Sequence, residues 1–194
     1  MIIVFGGAFN PPTIAHKEIY HFIHELVPVD KFIFLPVSKK YSKASLIEDK
    51  HRLQMLKILT ADLKDTIVSE IETEDEEFLG TYQSLLKIKN QYPHQEVAFV
   101  LGADNLNHLD QWINAEKLVS EFKFIIVNRH KKNLDKLIEK KTLLKNHKNH
   151  FIILENFHSN ISSSLFRETL DPYYVDEGIY HYIMKHDLYR GGKD

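Results

Sequence analysis

The sequence predicts an α/β protein: a Rossmann-like, doubly wound parallel sheet with a helical C-terminal end. Two observations carry that expectation. Short β-branched and aromatic runs alternate with stretches of helical period, the pattern of repeated strand–helix units. Most of the runs are continuously apolar rather than alternating, as strands covered on both faces are. Taken in order, the strands fall at Ile2 to Phe5, Phe32 to Leu35, Thr66 to Val68, Val97 to Leu101, Phe122 to Val127 and Phe151 to Leu154. Helical periods fill the intervals at Ala15 to Leu26, Lys50 to Ala61, Tyr82 to Asn90 and Ala115 to Glu121. The tail changes rhythm, with helices expected at Ser163 to Thr169 and Gly178 to Lys185.

Composition narrows the function classes. The chain has 194 residues and no cysteine, which excludes disulfides, a thiol nucleophile and Cys-based zinc sites. Lys+Arg is 25 against Asp+Glu 27, so no whole-chain field attracts nucleic acid or an anionic membrane. No apolar run approaches the length of a membrane span. These features, and the lack of a secretory pattern, lead to the expectation of a cytoplasmic single domain over residues 1–194. The acidic run Glu70 to Glu77 and the Lys- and His-rich stretch Arg129 to His150 read as solvated segments. In the second, Leu134, Leu137, Leu143 and Leu144 suggest an amphipathic surface helix rather than an RNA-binding patch.

In open parallel sheets, ligands bind beyond the carboxyl ends of the strands. After the first strand stands Gly6-Gly7-Ala8-Phe9-Asn10-Pro11-Pro12-Thr13-Ile14-Ala15-His16. Paired glycines permit close backbone approach to an anion, Thr13 is placed to cap a helix, and His16 falls in its first turn. A helix N-terminus offers N–H donors and a positive dipole end, so the segment reads as a phosphate cradle. Its spacing matches neither of the common glycine-rich phosphate motifs. A capped strand–turn–helix link with a surface His is the alternative. A second cradle reads at Ile161-Ser162-Ser163-Ser164-Leu165-Phe166-Arg167, with serines at a helix start and Arg167 expected in the first turn. A cation there opposes the helix dipole unless an anion is bound beside it, and the alternative is an ordinary capped helix with Arg167 turned to solvent. A third site follows the fourth strand at Gly102-Ala103-Asp104-Asn105, where Asp104 suits a ribose hydroxyl or a metal-bound water, with an N-cap as the alternative, and Trp112, the only Trp, is either a stacking platform or a packing residue.

Together these residues resemble the nucleotidyltransferases of the His-x-Gly-His type. GGAFNPPTIAH is similar to their first signature, with Thr13 in place of the first His, and ISSSLFR is similar to the second. Within that superfamily the chain resembles the bacterial nicotinate-nucleotide adenylyltransferases. The further likenesses are Leu35-Pro36 followed by Lys43, Lys50 to Leu56, Gly80 to Leu85, Val100 to Leu106 with Trp112, and the closing Leu188-Tyr189. The departures are Asn10 for Asp, Ala15 for Gly, Gln83 for Thr, and Ile113 for an aromatic. The resemblance implies adenylyl transfer from ATP to nicotinate mononucleotide, giving deamido-NAD and pyrophosphate in NAD biosynthesis, with Mg²⁺ carried by the ATP phosphates.

It implies His16, Lys43 and Arg167 as catalytic groups. ATP would be held by Gly6, Gly7, Phe9, Thr13, His16, Gly102, Asp104, Ile161, Ser162, Ser163 and Arg167. The mononucleotide would be held by Asn10, Lys43, Thr81, Tyr82 and Trp112, with the nicotinate carboxylate on backbone N–H groups near Thr81 and Tyr82. No dedicated protein metal cage is expected, and no nucleic-acid or membrane partner. The oligomeric state stays open, a homo-oligomer included. Pantetheine-phosphate adenylyltransferase is the competing reading in the same class. A nucleotide-binding regulator without turnover is the reading from a different class.

Overall fold

The computed structural model describes residues 1–40, 46–77, 79–128 and 133–190. Six strands form one sheet: β1 (Ile2–Gly7), β2 (Lys31–Pro36), β3 (Thr66–Val68), β4 (Val97–Gly102), β5 (Lys123–Val127) and β6 (Phe151–Leu154). Their order is β3-β2-β1-β4-β5-β6, and every pairing is parallel. The helices are α1 (Ile14–Leu26), α2 (Asp49–Leu59), α3 (Ile71–Glu74), α4 (Thr81–Gln91), α5 (Ala103–Leu106), α6 (Ala115–Glu121), α7 (Leu134–Lys140), α8 (Thr142–Asn146), α9 (Ser163–Thr169) and α10 (Glu177–Lys185). The doubly wound sheet is the one the strand–helix alternation predicts. The tail is helical as expected.

Side chains alternate across each strand, and both directions are apolar, so each strand feeds two cores. Ile3, Phe5, Phe32, Phe34 and Ile125 face one layer, with Ile19 and Ile23 of α1, Met55 and Leu56 of α2, Phe166 of α9 and Ile179 of α10. Ile2, Val4, Ile33, Phe99 and Ile126 face the other, with Leu85 and Ile88 of α4, Leu118 of α6, and Leu134, Ile138 and Leu144 of α7 and α8. Each fully buried Ile, Leu or Phe contributes roughly 1.5–3 kcal/mol. These layers are therefore what makes the register stable.

The basic stretch differs from expectation. It forms two short helices, not one, because Lys141 between them is extended (φ −112°, ψ 111°). The break turns Leu144 into the same core as Leu134 and Ile138, which a straight helix would carry past it. Arg129 to Lys132 lie outside the described residues.

The winding reverses at β1, which has β2 on one side and β4 on the other. The crevice beyond the carboxyl ends of these two central strands is where such sheets bind ligands.

Candidate active site

A cleft of about 580 Å³ opens at that crevice. Its wall includes Gly6 and Gly7 from the end of β1, His16 from α1, Gly102 from the end of β4, Asp104 from α5, Thr81 from the start of α4, and Trp112. Residues far apart in the chain thus meet at one place. A wall this assorted suits a ligand with both charged and aromatic parts.

The opening loop is rigid for reasons read directly from its contacts. Thr13 is the N-cap of α1. Its backbone N–H donates to His16 Nδ1 at 2.9 Å, and its hydroxyl lies 2.9 Å from the same nitrogen. The His16 ring thus takes the place of the Glu or Gln in a capping box. A neutral imidazole accepting at Nδ1 carries its proton on Nε2, so the ring is a donor at its outer nitrogen. The rings of Phe9 and Phe5 lie 5.0 and 5.8 Å from it, centroid to centroid.

The two glycines answer to neighbours on opposite sides. A Cβ on Gly6 would stand 2.6 Å from the Phe99 ring, and one on Gly7 would stand 3.1 Å from Phe9. Their small size is therefore demanded first by aromatic packing rather than by an anion. Gly102 is different, because a Cβ there would meet nothing within 4 Å. Arg52 of α2, fully buried, locks this end of the sheet. Its guanidinium donates to Ala8 O at 2.7 Å, to Val37 O at 2.5 Å and to the Asp49 carboxylate. A buried charge persists only when paired in this way. The Lys50 to Leu56 likeness contained this residue, but nothing in the sequence signalled that it ties the loops after β1 and β2 together.

The late serine turn docks on the opening loop. Ser163 Oγ donates to Pro11 O at 2.7 Å, and Arg167 Nη1 donates to Asn10 O at 2.6 Å. These bonds span more than 150 residues and bring the two signature segments to the same side of the molecule. Ser162 caps α9, its hydroxyl accepting from Leu165 N at 3.1 Å. Arg167 does not lie in the first turn as expected. It is the fifth residue of α9, beyond the reach of an N-terminal dipole penalty. Helical side chains lean toward the N-terminus, and this one reaches back to Ser164 Oγ at 3.2 Å and to the opening loop.

Other expected site residues are placed as follows. Asn10 is buried outside the cleft wall, and its Oδ1 accepts from the Tyr189 hydroxyl at 2.9 Å and Ile47 N at 3.5 Å. Burial pushes the Tyr189 hydroxyl pKa far up, so it stays protonated and donating. Phe9 and Thr13 are buried within the opening loop and Ile161 lies at the foot of the serine turn; none of them, nor Ser162, Ser163 or Arg167, is in the cleft wall. Tyr82 is buried, and its hydroxyl donates to Glu121 at 3.0 Å, away from the cleft. Thr81 lines the cleft at the start of α4, where first-turn N–H groups have no acceptor within their helix. Asp104 is exposed at the start of α5. The Trp112 ring stands edge-on to Phe99 at 6.2 Å, lining the cleft. Lys43 lies outside the described residues.

Of the wall residues that sequence reasoning did not assign to the site, Gly80 and Glu72 are the most constrained. Gly80, the N-cap of α4, has φ +90°, and a Cβ would stand 2.9 Å from Ile113 Cβ. Only glycine fits both demands. Glu72 overturns the reading of the acidic run as uniformly solvated. It is buried in α3, accepts from Ser84 Oγ at 2.7 Å, and forms part of the cleft wall. Burial raises its pKa to about 7, against a smaller lowering by the Ser84 hydrogen bond. The signal available beforehand was Ile71, an apolar residue inside the acidic run.

The cytidylyltransferase-like family matches residues 4–169. A protein of Acholeplasma laidlawii named "Probable nicotinate-nucleotide adenylyltransferase" is 35% identical over 192 residues, covering 97% of each chain. One of the same name from Fusobacterium nucleatum is 35% identical over 168 residues, covering 86% of this chain and 85% of that one. The solved structure of Plasmodium falciparum nicotinic acid mononucleotide adenylyltransferase complexed with NaAD superposes with a TM-score of 0.79 at 26% identity, over 97% of this chain and 96% of that chain. On matches that span the sheet, both signature segments and nearly the whole length, the chain belongs to the cytidylyltransferase-like family, among relatives named as nicotinate-nucleotide adenylyltransferases.

Proposed function

We propose that this chain transfers the adenylyl group of ATP to nicotinate mononucleotide, releasing pyrophosphate and forming deamido-NAD, a step of NAD biosynthesis. The observation that carries this reading is the docking of the Ser163–Arg167 turn on the Asn10–Pro11 loop beside His16. The relatives' names and the solved neighbour's bound dinucleotide support the choice of substrates.

The reaction needs no general base, because the attacking mononucleotide phosphate is already anionic. Its difficulty lies in joining two polyanions and stabilising charge on the α-phosphate oxygens. Catalysis is therefore positioning plus electrostatic stabilisation. His16 donates from Nε2 to a phosphate oxygen in the transition state, its ring fixed by Thr13. Arg167 and the serine turn hold the triphosphate, with Lys43 as a further cation. The open space at Gly102 admits the nucleotide, and Asp104 takes a ribose hydroxyl or a metal-bound water. Mg²⁺ carried by the ATP phosphates would supply neutralisation of part of their charge. Among the described residues no cluster of three His, Asp or Glu offers a separate cage. Trp112 stacks on the cationic pyridine ring, and the first turn of α4 receives the nicotinate carboxylate.

Pyrophosphate release with ATP, Mg²⁺ and, side by side, nicotinate mononucleotide, nicotinamide mononucleotide or phosphopantetheine tests this reading. Nicotinate mononucleotide is expected to be the best substrate. Preference for phosphopantetheine, or release with none of the three, would overturn the reading.

A further inference from the structure

Glu72 stands out from the rest of the cleft wall. It is 6% exposed, its Oε1 is held by Ser84, and its Oε2 is buried with no hydrogen-bond partner among the described residues. An unpaired carboxylate oxygen in such a place is costly, unless the group is protonated or a ligand completes it. Glu72 lines the same cleft as Gly80, Thr81, Trp112 and Ile113, and Ser84, the fourth residue of α4, ties it to the start of that helix. The first turn of α4 is the one assigned above to the nicotinate carboxylate.

We infer that Glu72 acts as a neutral acid that donates a hydrogen bond from its carboxyl group to the ring carboxylate of the mononucleotide, and so sets the preference for acid over amide. The inference rests on the proposed function for the identity of that ligand. Its chemistry follows from sharing. Two carboxyl groups beside one helix start cannot both ionise cheaply, so one proton is retained between them. An O–H···O⁻ bond is of the strong, charge-assisted kind. A ring carboxamide accepts the same proton only through its neutral oxygen, a weaker bond without charge assistance, and its NH₂ is best met by an ionised Glu72.

The surrounding charges do not undo this. Asp75, on the segment after α3, opposes ionisation of Glu72, and its own charge is met by Lys87 of α4. Glu70 at the start of α3 is paired with Lys57 of α2, and Lys40 after β2 donates to the Asp75 carbonyl. Glu74 shares α3, and His16 and Asp104 face the same cleft.

The test uses the intact protein and the fluorescence of Trp112, the only Trp and part of the same wall, so binding is read without turnover. Dissociation constants for nicotinate and nicotinamide mononucleotide are measured from pH 5.5 to 8.5 in the wild type and in Glu72→Gln. In the wild type the preference for the acid is expected to fall about tenfold or more between pH 6.5 and 8.5. Gln donates an N–H at every pH, so the variant is expected to hold a constant preference. The mononucleotide phosphate, titrating near ~6, affects both proteins alike. A second variant, Ser84→Ala, removes a bond that favours the ionised form and is expected to move the midpoint to higher pH. Parallel profiles in the wild type and Glu72→Gln, or an unmoved midpoint in Ser84→Ala, overturn the inference. If those results come with normal pyrophosphate release, only the role of Glu72 falls. Failure of nicotinate mononucleotide both to quench Trp112 and to support release defeats the proposed function as well.

Discussion

The two ends of the proposed site are built on different principles. The end proposed for phosphate, where the serine turn docks on the opening loop beside the cleft, is cross-linked by short bonds from Thr13 to His16, Ser163 to Pro11 and Arg167 to Asn10. The end proposed for the mononucleotide has few such ties. Its shape comes from a left-handed glycine at Gly80, a buried carboxyl at Glu72, the partly exposed Trp112 and the exposed Ile113. Rigid donors suit a charge whose position must be met closely in the transition state. A packed, partly apolar wall suits the recognition of a ring.

That contrast can be broken by experiment. The largest effect is expected at the phosphate end. His16→Ala should lower turnover by about 10²–10³, as loss of one positioned donor does elsewhere, with folding largely retained by circular dichroism. Unchanged turnover would remove His16 from the phosphates.

Glu72 tests the other end through stability. Its carboxyl titrates near 7 in the folded chain against 4.5 ordinarily, so the folded state holds the extra proton between those values. Stability from this group is therefore present below pH 4.5 and lost as pH rises toward 7. Linkage puts that loss at about 1–3 kcal/mol. Glu72→Gln should unfold at higher denaturant than the wild type at pH 8, with the difference shrinking by pH 5. An equal difference at both pH values would mean that Glu72 is not buried in an unfavourable charge state.

Trp112→Ala is expected to have the smallest effect. Loss of a cation–π contact of about 0.5–2 kcal/mol should raise the Michaelis constant for the mononucleotide several-fold or more, and that for ATP much less. Equal changes for both substrates would make Trp112 a packing residue and erase the division between the two ends.

The strands were legible because both faces of the sheet are covered, so burial wrote itself into continuous apolar runs. Helix starts at Thr13 and Ser162 were legible because capping uses side chains next to the backbone they serve. The expected start of that helix, Ser163, is the observed one, and counted from it Arg167 is the fifth residue, one turn past the cap and not within the first turn as expected. Asn10 reads as a ligand contact by resemblance, yet its side chain is occupied by Tyr189, a partner 179 residues away. The acidic run hid Glu72, since burial of a single carboxyl depends on what packs across it.

The sequence by itself determined the α/β class, the order of elements, and the capped helix starts of the two signature segments, because these depend on periodicity and on bonds between near neighbours. The tertiary structure alone decided that those segments meet, that Arg52 joins the loops after β1 and β2, and that Glu72 loses its solvent. Each of these depends on atoms far apart in the chain but close in space, and no local pattern encodes that distance.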